Sequence, residues 1–377
     1  MESTQKIGIH LRSLTSLRFY AAIAVVLYHF HLYLAPLGNA LGIAAYGFTG
    51  VSFFFILSGF VLTWSHRDQD RAPTFYWKRF SRVWPLHALT TLLAMLVPSL
   101  SAPTTVWAAL PFVLTLTQSW LPIGYEATFN GVSWSLSCEA FFYLLFPFLV
   151  SKLLRRRRMG HFAAVLYGVI LVLGICISVS IPTPAANYIL GTTPLYRLGE
   201  FVLGICLALT VKRGWRPRFT VSHAVGLSAI LYFSLLVVSF IGSGNPGSVP
   251  VTYADLTMAP GFLAIIAAAA NKDLSGQNGA LSSRTLVRLG RWSFALYLVH
   301  ELVIRVAKPL IDGLGLAWAA AAAVLVVGVS VALSGVLHEF VERPVEKWLR
   351  SWGVRREPRP AAVPDELTQQ QTLAREP

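Results

Sequence analysis

An arginine and a histidine share one face of the first apolar stretch of the chain. Residues 14–35 are long enough to cross a bilayer, since about 20 apolar residues span a hydrocarbon core of about 30 Å, yet they include Arg18 and His29. On an α-helix these two side chains would lie about 16 Å apart along one face. Ionisable side chains inside membrane helices are costly and are functional by default, so the pair could bind an anion and move a proton. Alternatively, Arg18 reaches the lipid headgroups and His29 is a satisfied buried histidine.

Polar residues crowd the beginning of another apolar stretch. The segment 130–147, NGVSWSLSCEAFFYLLFP, carries Ser133, Trp134 and Glu139 near its start. Such polar density at the mouth of a helix could line a cavity for a hydroxylated ligand. For Ser133 the alternative is an N-cap, whereas Glu139 lies beyond the first turn.

Depth estimates bring four ionisable residues to one level. Counting 1.5 Å per residue from the predicted helix ends places His29, Glu139, Arg197 and Glu200 in the outer half of the membrane. Carboxylates beside His or Arg are tolerated there when they face the interior of a bundle. The convergence indicates a buried site, and the alternative is a set of polar ties between helices without chemistry.

A basic segment follows the second apolar stretch. It reads FYWKRFSRVWPLH and contains Lys78, Arg79 and Arg82. If it is helical, the two guanidinium groups share one face at the membrane surface. Guanidinium groups bind phosphates with two parallel hydrogen bonds, so this face could hold a phosphorylated donor. Contact with anionic lipid headgroups is the alternative.

A third motif, WSFALYLVHELVIR, places a histidine near the middle of the membrane. Glu301 and Arg305 are four residues apart, so they can neutralise each other along one helix face. His300 has no such local partner. Packing and substrate binding both remain open for this histidine.

Composition excludes a soluble globular domain. The 377 residues are 55% hydrophobic and only 13% charged, with a mean hydropathy of +0.60, which is typical of a polytopic membrane protein. The net charge of +14 comes from short basic clusters between apolar runs, a pattern that orients membrane proteins and does not indicate a nucleic-acid partner. The three cysteines lack the spacing of metal ligands, so we expect no metal.

The fold class follows from eleven apolar segments. Basic connections alternate with connections free of Lys and Arg, which predicts that both termini are cytoplasmic. Three apolar segments separate two connections that are both predicted to be cytoplasmic, and an odd number of crossings cannot return the chain to the same side. The weakest candidate for a membrane span among the three, 104–118, is therefore predicted to be re-entrant or interfacial. We therefore predict an all-α polytopic membrane protein with about ten transmembrane helices, a retained first helix, a membrane domain over 1–350 and a disordered cytoplasmic tail over 351–377. The segments are 14–35, 46–66, 83–98, 104–118, 132–151, 162–181, 195–211, 222–242, 254–270, 292–309 and 315–337.

Taken together and in this order, the motifs resemble the membrane acyltransferase-3 family, bacterial enzymes that O-acylate carbohydrates and related acceptors. The resemblance spans roughly residues 11–348. It rests on the Arg18-x10-His29 spacing, GVSFFFILSGF at 50–60, the Arg79-x-x-Arg82 pair, SWSLSCE at 133–139 and ERP at 342–344. It implies an acyl-coenzyme A donor, with acetyl as the default, at the cytoplasmic face of a bacterial inner membrane. It also implies that Arg18, His29 and the RxxR pair are required. Many relatives carry an additional extracytoplasmic hydrolase-like domain, so the place where the acceptor binds stays open.

These observations lead to a hypothesis of acyl transfer from coenzyme A to a hydroxyl of a cell-envelope polysaccharide or lipid-linked sugar. His29 acts as general base or as a covalent acyl carrier, and Glu139 orients it or stabilises its imidazolium. The residues predicted to bind coenzyme A are Lys78, Arg79 and Arg82, those predicted to be catalytic are Arg18, His29 and Glu139, and those predicted to bind the acceptor are Ser133, Trp134, Arg197, Glu200 and His300.

Other classes of function fit some of the same residues. A transporter or flippase for a polysaccharide intermediate would also place ionisable residues in the membrane, although the chain shows no internal duplication of the kind common in transporters. A membrane scaffold would tolerate apolar replacements of these residues. Within acyl transfer, a small secondary metabolite is an alternative acceptor. Membrane lipid is an expected partner, and the oligomeric state is not encoded in any motif.

Overall fold

The chain folds almost entirely into helices. The computed structural model describes residues 11–38, 40–67, 69, 71–97, 107–122, 129–277 and 279–354. These residues form thirteen α-helices, and a π-helical turn, His338–Glu342, precedes the last of them. In order they are α1 (Arg12–Tyr33), α2 (Gly50–Ser65), α3 (Ala72–Met95), α4 (Leu110–Leu114), α5 (Trp134–Leu154), α6 (Met159–Ser180), α7 (Thr183–Gly191), α8 (Pro194–Lys212), α9 (Val221–Ser243), α10 (Val251–Leu274), α11 (Arg284–Ile311), α12 (Leu316–Leu337) and α13 (Arg343–Val354).

The prediction of an all-α polytopic membrane protein is confirmed. Eight helical stretches of the described chain are long and apolar enough to cross a membrane. Helices α3 and α11, with 24 and 28 residues, are also long enough for a core of about 30 Å but carry more charge. With them the described helices of spanning length number ten. The predicted tail begins inside α13, and from residue 355 onward it lies outside the described residues.

Helix α3 begins earlier than its apolar stretch suggests. The prediction started this span at residue 83, whereas α3 starts at Ala72 and includes Arg79 and Arg82. The charged first half of α3 is tolerated because these arginines face a cavity inside the bundle and not the lipid.

Helices α1 and α11 form a parallel pair at the centre of the bundle. His29 on α1 touches His300 on α11, and further along both helices the Lys308 ammonium donates to the Tyr33 carbonyl at 2.8 Å. The two helices therefore run in the same direction. Both begin at the face of the protein that carries the basic connections at 66–71, 152–158 and 212–218. We call this the arginine-rich face, and the other the distal face.

The described part of the connection between α3 and α5, residues 107–122 and 129–133, packs into the bundle, which agrees with the re-entrant placement, one of the two predicted for 104–118. Trp84 Nε1 donates to the Leu114 carbonyl at 3.0 Å and His87 Nε2 donates to the Val113 carbonyl at 2.8 Å. His87 lies eight residues before the end of α3, or about 12 Å below it. Backbone carbonyls at such depth need partners, and α3 supplies them.

Because this connection packs into the bundle, α5 begins deep inside it. The Asn130 amide donates to the Leu298 carbonyl at 2.9 Å, and the Val132 amide donates to Glu301 Oε2 at 3.0 Å. Glu301 lies ten residues before the end of α11, about 15 Å below it. The prediction that placed Glu139 level with His29 is therefore wrong, because it counted depth from the membrane surface.

Two glycines allow α2 and α8 to cross in direct backbone contact. A Cβ atom on Gly59 would lie 2.0 Å from the Phe201 carbonyl oxygen, and one on Gly204 would lie 1.9 Å from the Ile56 carbonyl oxygen. Small residues at such crossings let membrane helices pack closely. The contact fixes α2, which lines the cavities described below.

We expect Gly204→Val to destabilise the protein by about 1–3 kcal/mol, the usual cost of overpacking, because a side chain cannot enter this crossing. Thermal unfolding in detergent, followed by size-exclusion chromatography, measures the loss. Gly226→Val on α9 is the matched control, since nothing lies within 4 Å of its added Cβ. Equal midpoints for the two variants would contradict this account of the crossing.

Candidate active site

Three cavities follow one another along the bundle axis. The first, which we call the mouth, opens beside the basic α2–α3 connection and has a volume of about 300 Å³. The second, the arginine cavity, has a volume of about 110 Å³ and is lined by Arg18, Arg79, Arg82 and Glu139. The third, the histidine cavity, has a volume of about 310 Å³ and is lined by His29. Adjacent cavities share lining residues: Leu62 and Arg79 join the first two, and Val51 and Tyr297 join the last two.

The mouth is a basic surface at the arginine-rich face. Four cationic side chains, Arg67, Arg71, Lys78 and Arg79, line it together with Ser65 and Thr74. Cations and hydroxyls of this kind bind phosphate oxygens. The predicted phosphate-binding residues thus divide between two cavities: Lys78 faces the mouth, Arg82 faces the arginine cavity, and Arg79 faces both.

The arginine cavity has an excess of positive charge. Its three arginines are opposed by one carboxylate among its described lining residues, Glu139, whose Oε2 accepts a hydrogen bond from the Tyr143 hydroxyl at 2.5 Å. The Nε atoms of Arg18 and Arg79 are buried without a hydrogen-bond partner in the described part of the chain. Unpaired cations in a closed site are costly, so this cavity is suited to an anionic or strongly polar ligand.

Hydrogen bonds fix the tautomer of His29. His300 Nδ1 lies 3.1 Å from the Leu296 carbonyl, which can only accept, so His300 Nε2 is left as an acceptor in the neutral ring. His29 Nδ1 lies 2.8 Å from the Val25 carbonyl and 3.3 Å from His300 Nε2. Both neighbours accept, so the hydrogen of His29 resides on Nδ1. Its Nε2 therefore carries the free lone pair in a ring that lines the histidine cavity.

Glu301, and not Glu139, is the carboxylate of the histidine cavity. Arg305 pairs with Glu301 Oε1 at 2.5 Å, and the Val132 amide donates to Oε2. A Cβ on Gly131 would lie 2.9 Å from this carboxylate, so glycine permits the close approach. The predicted contact of Glu139 with His29 is not formed, because Glu139 lies in the arginine cavity.

The predicted acceptor residues have different surroundings. Trp134 and Arg197 line the histidine cavity, and the guanidinium of Arg197 lies 5.9 Å from the Trp134 ring. Arg197 is also held by Asp255 at 2.5 Å and by Glu200 at 3.1 Å, so Glu200 is buried in an ion pair. Ser133 is fully buried and accepts hydrogen bonds from the Gln118 amide, which ties the re-entrant segment to α5.

Residues 11–335 match the family of acyltransferase domains called acyltransferase-3. The chain belongs to the acyltransferase-3 family. No solved structure matches this acyltransferase.

Curated relatives of this acyltransferase carry acyltransferase names. It is 39% identical to the acyltransferase MdmB of Streptomyces mycarofaciens, over 96% of each chain. It is 25% identical to the O-acetyltransferase OatA of Staphylococcus aureus and 26% identical to the putative peptidoglycan O-acetyltransferase YrhL of Bacillus subtilis. The matches cover 90% and 89% of this chain but only 57% and 55% of those two relatives. The protein is thus an acyltransferase.

Tyr297, Asp255 and Tyr143 are among the residues of the candidate site that the sequence analysis missed. Tyr297 lines two cavities, Asp255 pairs with Arg197, and Tyr143 binds Glu139. Tyr143 could have been found, since it lies one helical turn after Glu139. Asp255 pairs across 58 residues, a contact that no local spacing indicates.

We expect His300→Ala to lower acyl transfer by at least about tenfold. His29, the predicted general base, would lose one of the two acceptors that hold its tautomer, and a general base contributes about 10²–10⁴-fold. His300→Gln should retain more activity, since its amide oxygen can accept from His29 Nδ1. Initial rates in membranes with matched protein abundance, measured across pH, provide the test. If the two variants have equal rates and the same pH profile as the wild type, His300 does not position His29.

Proposed function

We propose that the protein moves an acyl group, acetyl by default, from acyl-coenzyme A to a hydroxyl of a cell-envelope polysaccharide or a lipid-linked sugar. The observation that carries the proposal is the row of three neighbouring cavities with shared lining residues, which extends from a basic mouth to an imidazole with a free Nε2. A thioester donor and a hydroxyl acceptor need such a path when they approach from opposite faces of a membrane.

Coenzyme A suits the basic half of this path. Its phosphates match the four cations of the mouth, and the partnerless Nε atoms of Arg18 and Arg79 supply donors for the polar groups of the pantetheine arm. The narrow arginine cavity would hold that arm and bring the thioester toward Tyr297. The basic connections at this face indicate a cytoplasmic location by the positive-inside rule, where acyl-coenzyme A is available, in a bacterial cytoplasmic membrane.

In the proposed reaction, His29 Nε2 takes the proton of the acceptor hydroxyl as the oxygen attacks the thioester carbonyl. The carbon–sulfur bond then breaks, the ester forms, and the imidazolium returns its proton to the departing coenzyme A thiolate. Glu301 lines the same cavity. Although Arg305 offsets part of its charge, its carboxylate still favours the imidazolium that forms in between. A covalent route, in which Nε2 itself accepts the acyl group before the acceptor hydroxyl attacks, uses the same residues.

The acceptor side of the path is aromatic and polar. Tyr28, Tyr33, Trp134 and Asn187 line the histidine cavity, and such a mixture suits a hydroxylated ring with apolar faces. A small secondary metabolite is the second candidate acceptor. It is kept because the chain is more similar to MdmB, at 39%, than to the two O-acetyltransferases, at 25% and 26%.

We expect purified protein to convert acetyl-labelled acetyl-coenzyme A and a hydroxylated acceptor to a labelled ester, and His29→Ala to reduce this by about 10²–10⁴-fold. His31→Ala is the matched control, because His31 lies on the same helix but binds the Gly38 carbonyl. A translocation pathway would form no ester. Full activity of His29→Ala at wild-type abundance would contradict the role of the imidazole.

We expect Arg79→Ala to raise the KM for acetyl-coenzyme A by about tenfold or more and to change kcat less. A hydrogen bond to a charged group contributes about 1.5–3 kcal/mol, and 1.4 kcal/mol corresponds to tenfold. Arg213→Ala is the control, since Arg213 at the same face binds the Leu154 and Arg157 carbonyls and lines none of the three cavities. Equal KM values for the two variants would show that Arg79 does not bind the phosphates of coenzyme A.

A further inference from the structure

The arginine cavity and the histidine cavity meet at one aromatic side chain. Tyr297 and Val51 line both cavities. On α11, Ser293 faces the arginine cavity and Glu301 faces the histidine cavity, four residues before and four residues after Tyr297. Residues spaced by four lie on one face of a helix, so a single stripe of α11 runs along the path and Tyr297 stands at its midpoint.

Hydrogen bonds of the hydroxyl and two ring contacts hold the side chain of Tyr297. Its hydroxyl donates to the Val132 carbonyl at 3.0 Å and lies 2.8 Å from Ser135 Oγ. Its ring packs edge-on against Phe54, with centroids 5.9 Å apart, and lies 5.9 Å from the His300 ring. It is 6% exposed. The hydroxyl is thereby anchored near the start of α5, and the ring lines the boundary between the two cavities.

This position determines what can pass between the cavities. The proposed donor lies in the arginine cavity, whereas the basic nitrogen of His29 lies in the histidine cavity. His29 contacts His300, and His300 contacts the Tyr297 ring, so a donor carbonyl that moves from the arginine cavity to His29 passes the Tyr297 ring. The atoms that pass the ring with that carbonyl are those of the acyl group.

We infer that Tyr297, with Val51 and Phe54 beside it, forms a constriction that selects short acyl groups and keeps water in the histidine cavity from the waiting thioester. This inference rests on the proposed function and extends it to the substrate class, short-chain acyl thioesters. The side reaction that the constriction suppresses is hydrolysis. In it, water adds to the thioester carbonyl, the carbon–sulfur bond breaks, and free coenzyme A thiol and a carboxylic acid are released.

The test compares acetyl-, propionyl- and butyryl-coenzyme A as donors for the wild type, Tyr297→Ala and Tyr297→Phe. Tyr297→Ala removes the ring and should raise kcat/KM for butyryl relative to acetyl by about tenfold or more, since one methylene in a tight pocket is worth about 10–200-fold in selectivity. It should also raise acceptor-free release of coenzyme A thiol. Tyr297→Phe keeps the ring, so it should preserve the acyl preference and increase hydrolysis less than Tyr297→Ala does. Tyr167→Ala is the control, because Tyr167 binds the Leu256 carbonyl on another part of the bundle.

A second variant keeps the test decisive. If Tyr297→Ala does not elute as a folded protein, Val51→Ala widens the same constriction from α2 and should shift the acyl preference in the same direction. An unchanged butyryl-to-acetyl ratio in the folded variant, together with active wild type, would overturn the constriction but leave the proposed function intact. If the wild type transfers no acyl group from any of the three donors, the proposed function fails and the constriction fails with it.

Discussion

A charge inside a membrane must be neutralised or must face a polar cavity, and this constraint divides the charged residues of the chain into two groups. Arg197 pairs with Glu200 on its own helix and with Asp255 on α10, and Arg305 pairs with Glu301 one turn away on α11. The Arg197–Asp255 pair ties α8 to α10, and Glu301 ties α11 to the start of α5 through the Val132 amide. Arg18, Arg79 and Arg82 face a cavity with Glu139 instead. The second group is available to a ligand, and it coincides with the part of the path where the proposed donor would bind.

The parallel packing of α1 and α11 determines the order of the two cavities along the bundle axis. Arg18 and His29 lie on one stripe of α1, and Ser293, Tyr297 and Glu301 lie on one stripe of α11. Because both helices start at the arginine-rich face, each stripe passes from the arginine cavity to the histidine cavity. In the proposed reaction, the two substrates approach from opposite faces and meet near Tyr297. The re-entrant segment completes the site, since it carries the start of α5 down to the level of Glu301.

Much of this architecture could be predicted from residue patterns. Hydropathy and alternating basic connections were sufficient for the ten helices and the re-entrant segment, and helical periodicity placed Arg18 and His29 on one face. The depth of Glu139 could not be predicted, because the position of α5 depends on bonds such as that of His87 to Val113, which are distant in sequence. The pairing of Arg197 with Asp255 depends on how α8 and α10 rotate about their axes, which apolar composition leaves undetermined. For the same reason, a single predicted chamber proved to be two cavities joined at Tyr297.

The central claim is that a donor thioester enters from the arginine-rich face and ends beside Tyr297, within reach of His29. A cryo-electron microscopy structure with a non-hydrolysable acetyl-coenzyme A thioether tests this most directly. The account predicts phosphate density against Lys78 and Arg79, the pantetheine arm along Arg18, and the acetyl group at the Tyr297 ring. Density for the analogue at the distal face, or on the lipid-facing surface away from Arg79, would contradict it.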